Sequence, residues 1–253
     1  MKLRRRDFLQ LGALLAVPRA AWATGDETAI GIGILRYDSL GWNARPDAIS
    51  RLLREAETTT SIFVAQDARE VGLTLASLAS TPLVIWGGDR GFSPLRAEER
   101  EALATWIRAG GTLIIDSSEG RADGEFEASI RRELAAILPG STFGVVSSEH
   151  VIFHSFYLVT GSPGRVAVSS EVLGVPFEGR LAAVYSPNDL MGAWARDSLG
   201  NPRYDVYPGG EEQRTMAFRF GVNLLMYALC TDYKDDQVHV PFILRRRRWK
   251  VAE

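Results

Sequence analysis

The sequence has one cysteine, Cys230, among 253 residues. A lone thiol excludes an internal disulfide and any zinc or iron–sulfur site built from several thiolates. Long apolar runs are also missing, and the one near the start is broken by Pro18-Arg19, too early to span a bilayer. No internal repeat, low-complexity tract or long linker is present. Neither sign of charge dominates, with 29 Lys and Arg against 31 Asp and Glu, a formal net charge of −2. Hydrophobic residues make up 46% and charged residues 24%. These proportions exclude wholesale disorder, a collagen-like fibre and a polytopic membrane protein. A chain of this length suffices for one sizeable core.

Residues 1–23 read as an address. Lys2, Arg4, Arg5 and Arg6 form a positive region, residues 8–17 a short apolar one, and Ala21-Trp22-Ala23 fits the small-residue cleavage pattern. Arg5-Arg6-Asp7-Phe8-Leu9-Gln10 resembles the twin-arginine export motif. Cleavage near Ala23 and release into the periplasm are expected, and a route that carries folded cargo permits a pre-loaded cofactor without requiring one. No cysteine follows the cleavage point to carry a lipid anchor. Loss of residues 1–23 removes five basic residues and one acidic one, so the formal charge falls from −2 to −6. An acidic body argues against nucleic-acid binding. Arg245, Arg246, Arg247 and Arg248 concentrate positive charge in a C-terminal extension, residues 233–253, suited to anionic headgroups or an acidic partner.

Between these ends, residues 28–232 alternate short apolar runs with amphipathic stretches. Strands are expected at 30–35, 61–64, 83–86, where Gly87-Gly88 closes the run, and 112–115. Helices are expected after Pro46 with Ile49, Leu52, Leu53 and Ala56 inward, near 73–78, and after a Ser93-Pro94 cap with Leu103, Trp106 and Ile107 inward. Gly110-Gly111 stops that last helix, and another carries Phe126, Ile130, Leu134 and Ile137. Continuous apolar strands separated by helices predict a three-layer, doubly wound α/β fold with a mostly parallel sheet, flavodoxin-like. Beyond Phe143 the pattern loosens into irregular C-terminal additions. Strands are expected at 151–159, 166–168 and 181–185, some antiparallel, and a deeply packed helix at 214–229 ends near a buried Cys230.

In such sheets ligands bind beyond the carboxyl ends of the strands. The exits carry Asp38, Trp42 and Asn43 after the first strand, Gly87, Gly88 and Asp89 after the third, Asp116-Ser117-Ser118-Glu119 after the fourth, and Asn188 and Asp189 after the late one, with Trp194 just beyond. Capping alone also favours such residues. The aromatic residues Trp42, Trp86, Tyr185 and Trp194 beside carboxylates and carboxamides suit a glycan. Asp116, His154 and Asp189, with Ser117 or Ser118, suit a serine- or metal-dependent hydrolase. His150 and His154 lie four apart; in a strand they would stand about 13 Å from each other, too far to share an ion. Glu211 and Glu212 already satisfy the helix start after Gly209-Gly210, which disfavours an anion there.

Phe153-His154-Ser155-Phe156-Tyr157, Asn188-Asp189-Leu190-Met191-Gly192-Ala193-Trp194 and Arg219-Phe220-Gly221-Val222-Asn223 resemble the bacterial family of domain of unknown function 4159. The resemblance implies a scaffold similar to class I glutamine amidotransferases, and envelope partners in systems that include MoxR-type ATPases and von Willebrand A domain proteins. Amidotransferases carry a cysteine in a G-x-C-x-G turn, whereas the corresponding turn here is Asp116-Ser117-Ser118-Glu119-Gly120. Glutaminase chemistry is therefore not expected. The leading expectation is an exported, non-catalytic binding module with no cofactor; the alternative is a periplasmic hydrolase using Asp116, His154 and Asp189, with a divalent metal or with serine.

Overall fold

The computed structural model describes residues 31–62 and 64–229. The expected export segment with Ala23, Cys230 and the basic run Arg245, Arg246, Arg247 and Arg248 lie outside the described residues. Seven strands form one sheet: β1 (Ile32–Arg36), β2 (Arg69–Gly72), β3 (Leu83–Gly88), β4 (Thr112–Ser117), β5 (Gly144–Val145), β6 (Leu173–Phe177) and β7 (Arg180–Ser186). Their order is β2-β1-β3-β4-β7-β6-β5. The first four named in this order and β7 run parallel, while β6 and β5 are antiparallel additions. The fold is therefore the expected three-layer α/β arrangement with a mostly parallel sheet.

The pleat of the apolar strands explains the layers. In β3, Leu83 and Ile85 face one side while Val84 and Trp86 face the other, and all four are fully buried. The first side packs against α1 (Ala48–Thr59), α5 (Leu190–Trp194) and α6 (Gly210–Leu229). The second packs against α3 (Ala97–Arg108) and α4 (Glu125–Ile137), with α2 (Leu75–Leu78) beside α3. Each helical stripe read from the sequence is buried: Ile49, Leu52, Leu53 and Ala56 in α1, and Phe126, Ile130, Leu134 and Ile137 in α4. At the end of α3, the Gly110 and Gly111 N–H groups donate to Ile107 O and Trp106 O, and Gly110 takes φ 104°, a Schellman stop.

Several expectations are corrected. The strand at 61–64 is replaced by β2; Val64 forms only a single bridge, and β2 buries Val71 alone at its edge, so it carries no apolar run. Gly87-Gly88 does not close β3 but continues it, pairing with Asp116 and Ser117. A Cβ on Gly87 would stand 2.3 Å from Met191 Cε, and one on Gly88 2.3 Å from the Phe126 ring, so close packing explains both glycines. The Ser93-Pro94 cap gives way to Arg96, whose N–H donates to Glu99 at 2.8 Å, so α3 begins at Ala97.

Residues 151–159 are not a strand. Val151, Ile152 and Phe153 form a 3-10 turn started by His150, whose side chain accepts from Ile152 N. All three apolar residues enter the same hydrophobic cluster, which a strand with alternating faces could not achieve. Residues 166–168 are likewise irregular. Both stretches are held by buried asparagines in place of a ladder. Asn223 Oδ1 accepts from Phe156 N and Tyr157 N while its Nδ2 donates to Ile152 O and Tyr157 O. Asn188 Oδ1 accepts from Val168 N and Ser169 N while its Nδ2 donates to Ser162 O and Ser169 O.

Candidate functional site

Because β1, β3, β4 and β7 are parallel, their carboxyl ends open on one rim. Asp38, Asp89, Asp116 and Asn188 therefore emerge at the same border of the sheet. The rim has a closed centre and an open flank.

The centre lies over β4 and β7. Asp116 is fully buried and accepts from Leu190 N at 2.7 Å and Met191 N at 2.8 Å, which fixes the start of α5. Asp189 adopts the left-handed conformation (φ 54°, ψ 58°) and caps the same helix through Gly192 N at 3.0 Å. Its carboxylate is also gripped by the Arg45 fork, at 2.9 and 2.7 Å, and by Arg165 Nε. Arg45 lies over the Tyr204 ring, 4.4 Å from its centroid, and reaches Ser118 O. Gly192 leaves no room for a side chain, since a Cβ would meet Asp189 Oδ2 at 2.3 Å. Trp194 is fully buried and donates to Ala217 O. The segment 188–194 is thus a structural knot: latch, cap, close approach and core anchor follow one another.

Burial, and next the charge of Asp189, hold the Asp116 carboxyl well above the usual carboxylate range, against the pull of its two N–H donors. The folded state keeps a proton that the unfolded chain releases above about pH 3.8. Stability from this group is complete at low pH and falls as pH rises toward the folded pKa, by up to about 1.4 kcal/mol per pH unit. Asp116→Asn, which cannot ionise, should remove that slope. Urea unfolding at pH 4 to 7 should show wild type losing stability relative to the variant as pH rises; parallel curves would defeat the assignment.

Glu119, after β4, closes the adjoining helix start. Its two oxygens accept from Glu125 N at 2.9 Å and Phe126 N at 3.1 Å, so an internal carboxylate occupies the N-terminus of α4. Ser117 Oγ donates to Glu119 at 3.3 Å. Ser118 Oγ is buried and meets no hydrogen-bond partner among the described residues. His154 Nε2 bonds Glu149 O at 3.0 Å and takes part in none of the Asp116 or Asp189 hydrogen bonds. Burial, and next His154, push the His150 imidazole below its ordinary pKa. Among the described residues no group of three or more His, Cys, Asp or Glu is placed to hold a metal ion. The sequence pairing of Asp116 with Asp189 is met in space; the addition of His154 is not.

The open flank lies at the exit of β1. There the chain passes from β1 to β2 on one side while β3 lies on the other, the reversal point at which α/β sheets open a crevice. Residues 38–40, 90–93 and α4 residues Glu125, Ala128 and Ser129 line a cleft of about 560 Å³. A second cleft of about 490 Å³ lies between the β1 exit, Gly72 and Leu73, with Trp42 on its wall. Leu40 borders both clefts and is 94% exposed. Of the aromatic residues considered for a glycan, Trp42 is half-buried on the rim with Arg36 over its ring, while Trp86, Tyr185 and Trp194 are core. Asn43 is half-buried beside Trp42, and Asp89 is paired with Arg90 at 2.7 Å.

Sequence reasoning missed Arg45, Arg165 and Tyr204, and named Glu119 only as part of a strand exit. Arg45 lies 144 positions from Asp189 and nothing local marks it; Glu119, in the turn before α4, carried the one readable cue, an acidic residue near a helix start. No helix among the described residues is long and apolar enough to cross a membrane. A comparison with curated proteins finds no match. The family model described as Domain of unknown function (DUF4159) matches residues 31–229, the whole of the sheet and its helices, and the chain belongs to that family.

Proposed function

We propose that this protein is a non-catalytic binding module of the cell envelope, exported by the twin-arginine route and built on an amidotransferase-like scaffold. The observation that carries this reading is the closure of the rim centre. The turn after β4, where an amidotransferase holds its nucleophile, here spends Asp116 on two backbone N–H groups and Glu119 on a helix start. Asp189 is committed to two arginines. What is left for a ligand is the β1 flank, where Leu40 projects between two clefts as an apolar contact for a protein partner. A partner from a MoxR-type or von Willebrand A domain system fits this reading, with the basic run at 245–248 available to headgroups.

The hydrolase alternative draws on one observation, the buried and unpartnered Ser118 Oγ. Among the described residues no base holds its proton, which a serine nucleophile requires. Two measurements decide between the readings. Purified protein should turn over no ester, amide or phosphoester probe with or without Mg²⁺, Mn²⁺ or Zn²⁺; turnover abolished by Ser118→Ala would replace binding with catalysis. A photo-crosslinking residue at Leu40 should give a discrete adduct in cells, and one at Val145, on the far sheet edge, should not. Absence of any adduct at Leu40 would remove the rim from consideration.

A further inference from the structure

The outer face of α1 and α6 carries a feature that the rim does not explain. Arg51 and Arg54 stand one turn apart on α1, Arg219 projects from α6, and Arg196 follows α5. All four line one concave pocket of about 480 Å³. None of them forms an ion pair among the described residues, in a domain where other arginines rest on carboxylates, as Arg100 does on Glu133 and Arg214 on Glu211. Arg51 donates to Asp197 O at 3.0 Å and Arg196 to Gly200 O at 3.4 Å, both neutral backbone acceptors. Among the described residues Arg219 hydrogen-bonds only to Met216 Sδ, at 3.8 Å, and Arg54 makes no hydrogen bond. Among the described residues Glu55 is the one carboxylate on the wall, and it forms no ion pair with any of the four.

Four unneutralised guanidiniums in one hollow repel one another, and a protein whose formal charge is negative has acidic side chains with which to neutralise them. Two of the four are also held in place: Arg196 over Phe218, 5.7 Å from the ring centroid, and Arg219 over Tyr157 at 5.4 Å. Tyr157 is itself fixed by the Asn223 latch. Stacked guanidiniums keep their N–H forks in a set orientation and lose little freedom when an anion arrives.

We propose that this pocket binds a multiply charged phosphate group, a phosphomonoester or diphosphate, borne by a small molecule or a lipid headgroup. A single carboxylate would engage one fork and leave the others unpaired, whereas a diphosphate presents enough oxygens for several. A hollow of about 480 Å³ holds a compact anion with room to spare. The site is separate from the rim and stands whether or not the rim binds a partner.

Titration of the purified protein with inorganic pyrophosphate at low ionic strength tests it. Heat of binding and a rise in melting temperature are expected, both fading as salt is added. The double variant Arg54→Glu/Arg219→Glu, both on exposed side chains, should bind at least about tenfold more weakly. Arg69→Glu/Arg108→Glu, which changes net charge equally at exposed side chains away from both the pocket and the rim, should bind as wild type does. Vesicles of phosphatidic acid with phosphatidylcholine, compared with phosphatidylcholine alone, distinguish the sources. Patch-dependent vesicle binding without a pyrophosphate response assigns a headgroup, and a pyrophosphate response assigns a free phosphate ester. Neither response at low salt, equal loss in both double variants, or binding only of a glutamate-rich peptide would overturn the proposal.

Discussion

Asp189→Ala should lower folding stability by about 3–5 kcal/mol, a large share of the 5–15 kcal/mol typical of a domain. The loss has three sources. Arg45 and Arg165 lose the carboxylate that both of them grip. The Gly192 N–H loses its cap, and alanine is forced into a left-handed conformation that it tolerates poorly. The arginines keep 14% and 25% exposure, so water relieves part of the charge penalty and the lower end of the range is expected. For a domain of this size the melting temperature should fall by roughly 6–20 °C. Asp189→Asn, which tolerates the same backbone and can still cap Gly192, should cost less than the alanine change. An equal loss in both variants would show that the ion network is not what holds the rim centre.

Asn223→Ala should be of similar size, about 3–5 kcal/mol, by a different route. One fully buried side chain satisfies two backbone donors and two carbonyls in the stretch 152–157. Each orphaned group costs about 1–3 kcal/mol when it remains buried, and local opening to water keeps the total below their sum. Hydrogen exchange should therefore register the change first at the amides of Phe156 and Tyr157, while those of β3 and β4 keep their protection until global unfolding. Uniform loss of protection across the domain would contradict a local latch. Asn223→Asp should give no rescue, because a carboxylate can accept the two N–H groups but cannot donate to Ile152 O and Tyr157 O.

These two residues also mark the limit of what the amino-acid order reveals. The runs at β1, β3 and β4 and the stripes of α1, α3 and α4 are legible because burial on two sheet faces, or on one helical face, imposes a period on the sequence. β2 is not, since an edge strand that buries only Val71 leaves no period. β6 contains Pro176 at a register irregularity, where a ladder bond is given up. The 3-10 turn at Val151–Phe153 looked extended because three successive apolar residues fit a strand as well as a turn. At the site, Asp116 and Asp189 lie on one rim, but the Asp189 carboxylate is held by Arg45 and Arg165, which are remote in sequence. The segments Phe153–Tyr157 and Asn188–Trp194 looked chemical; in space they are largely latches, caps and anchors.

The Asn223 latch has a consequence for biosynthesis. The stretch it secures lies about 70 residues upstream, and the grip on Asp189 joins the first exit loop to the last. A nascent chain stopped before α6 lacks the group that satisfies its own middle segment, so the described domain cannot finish folding until α6 has left the ribosome.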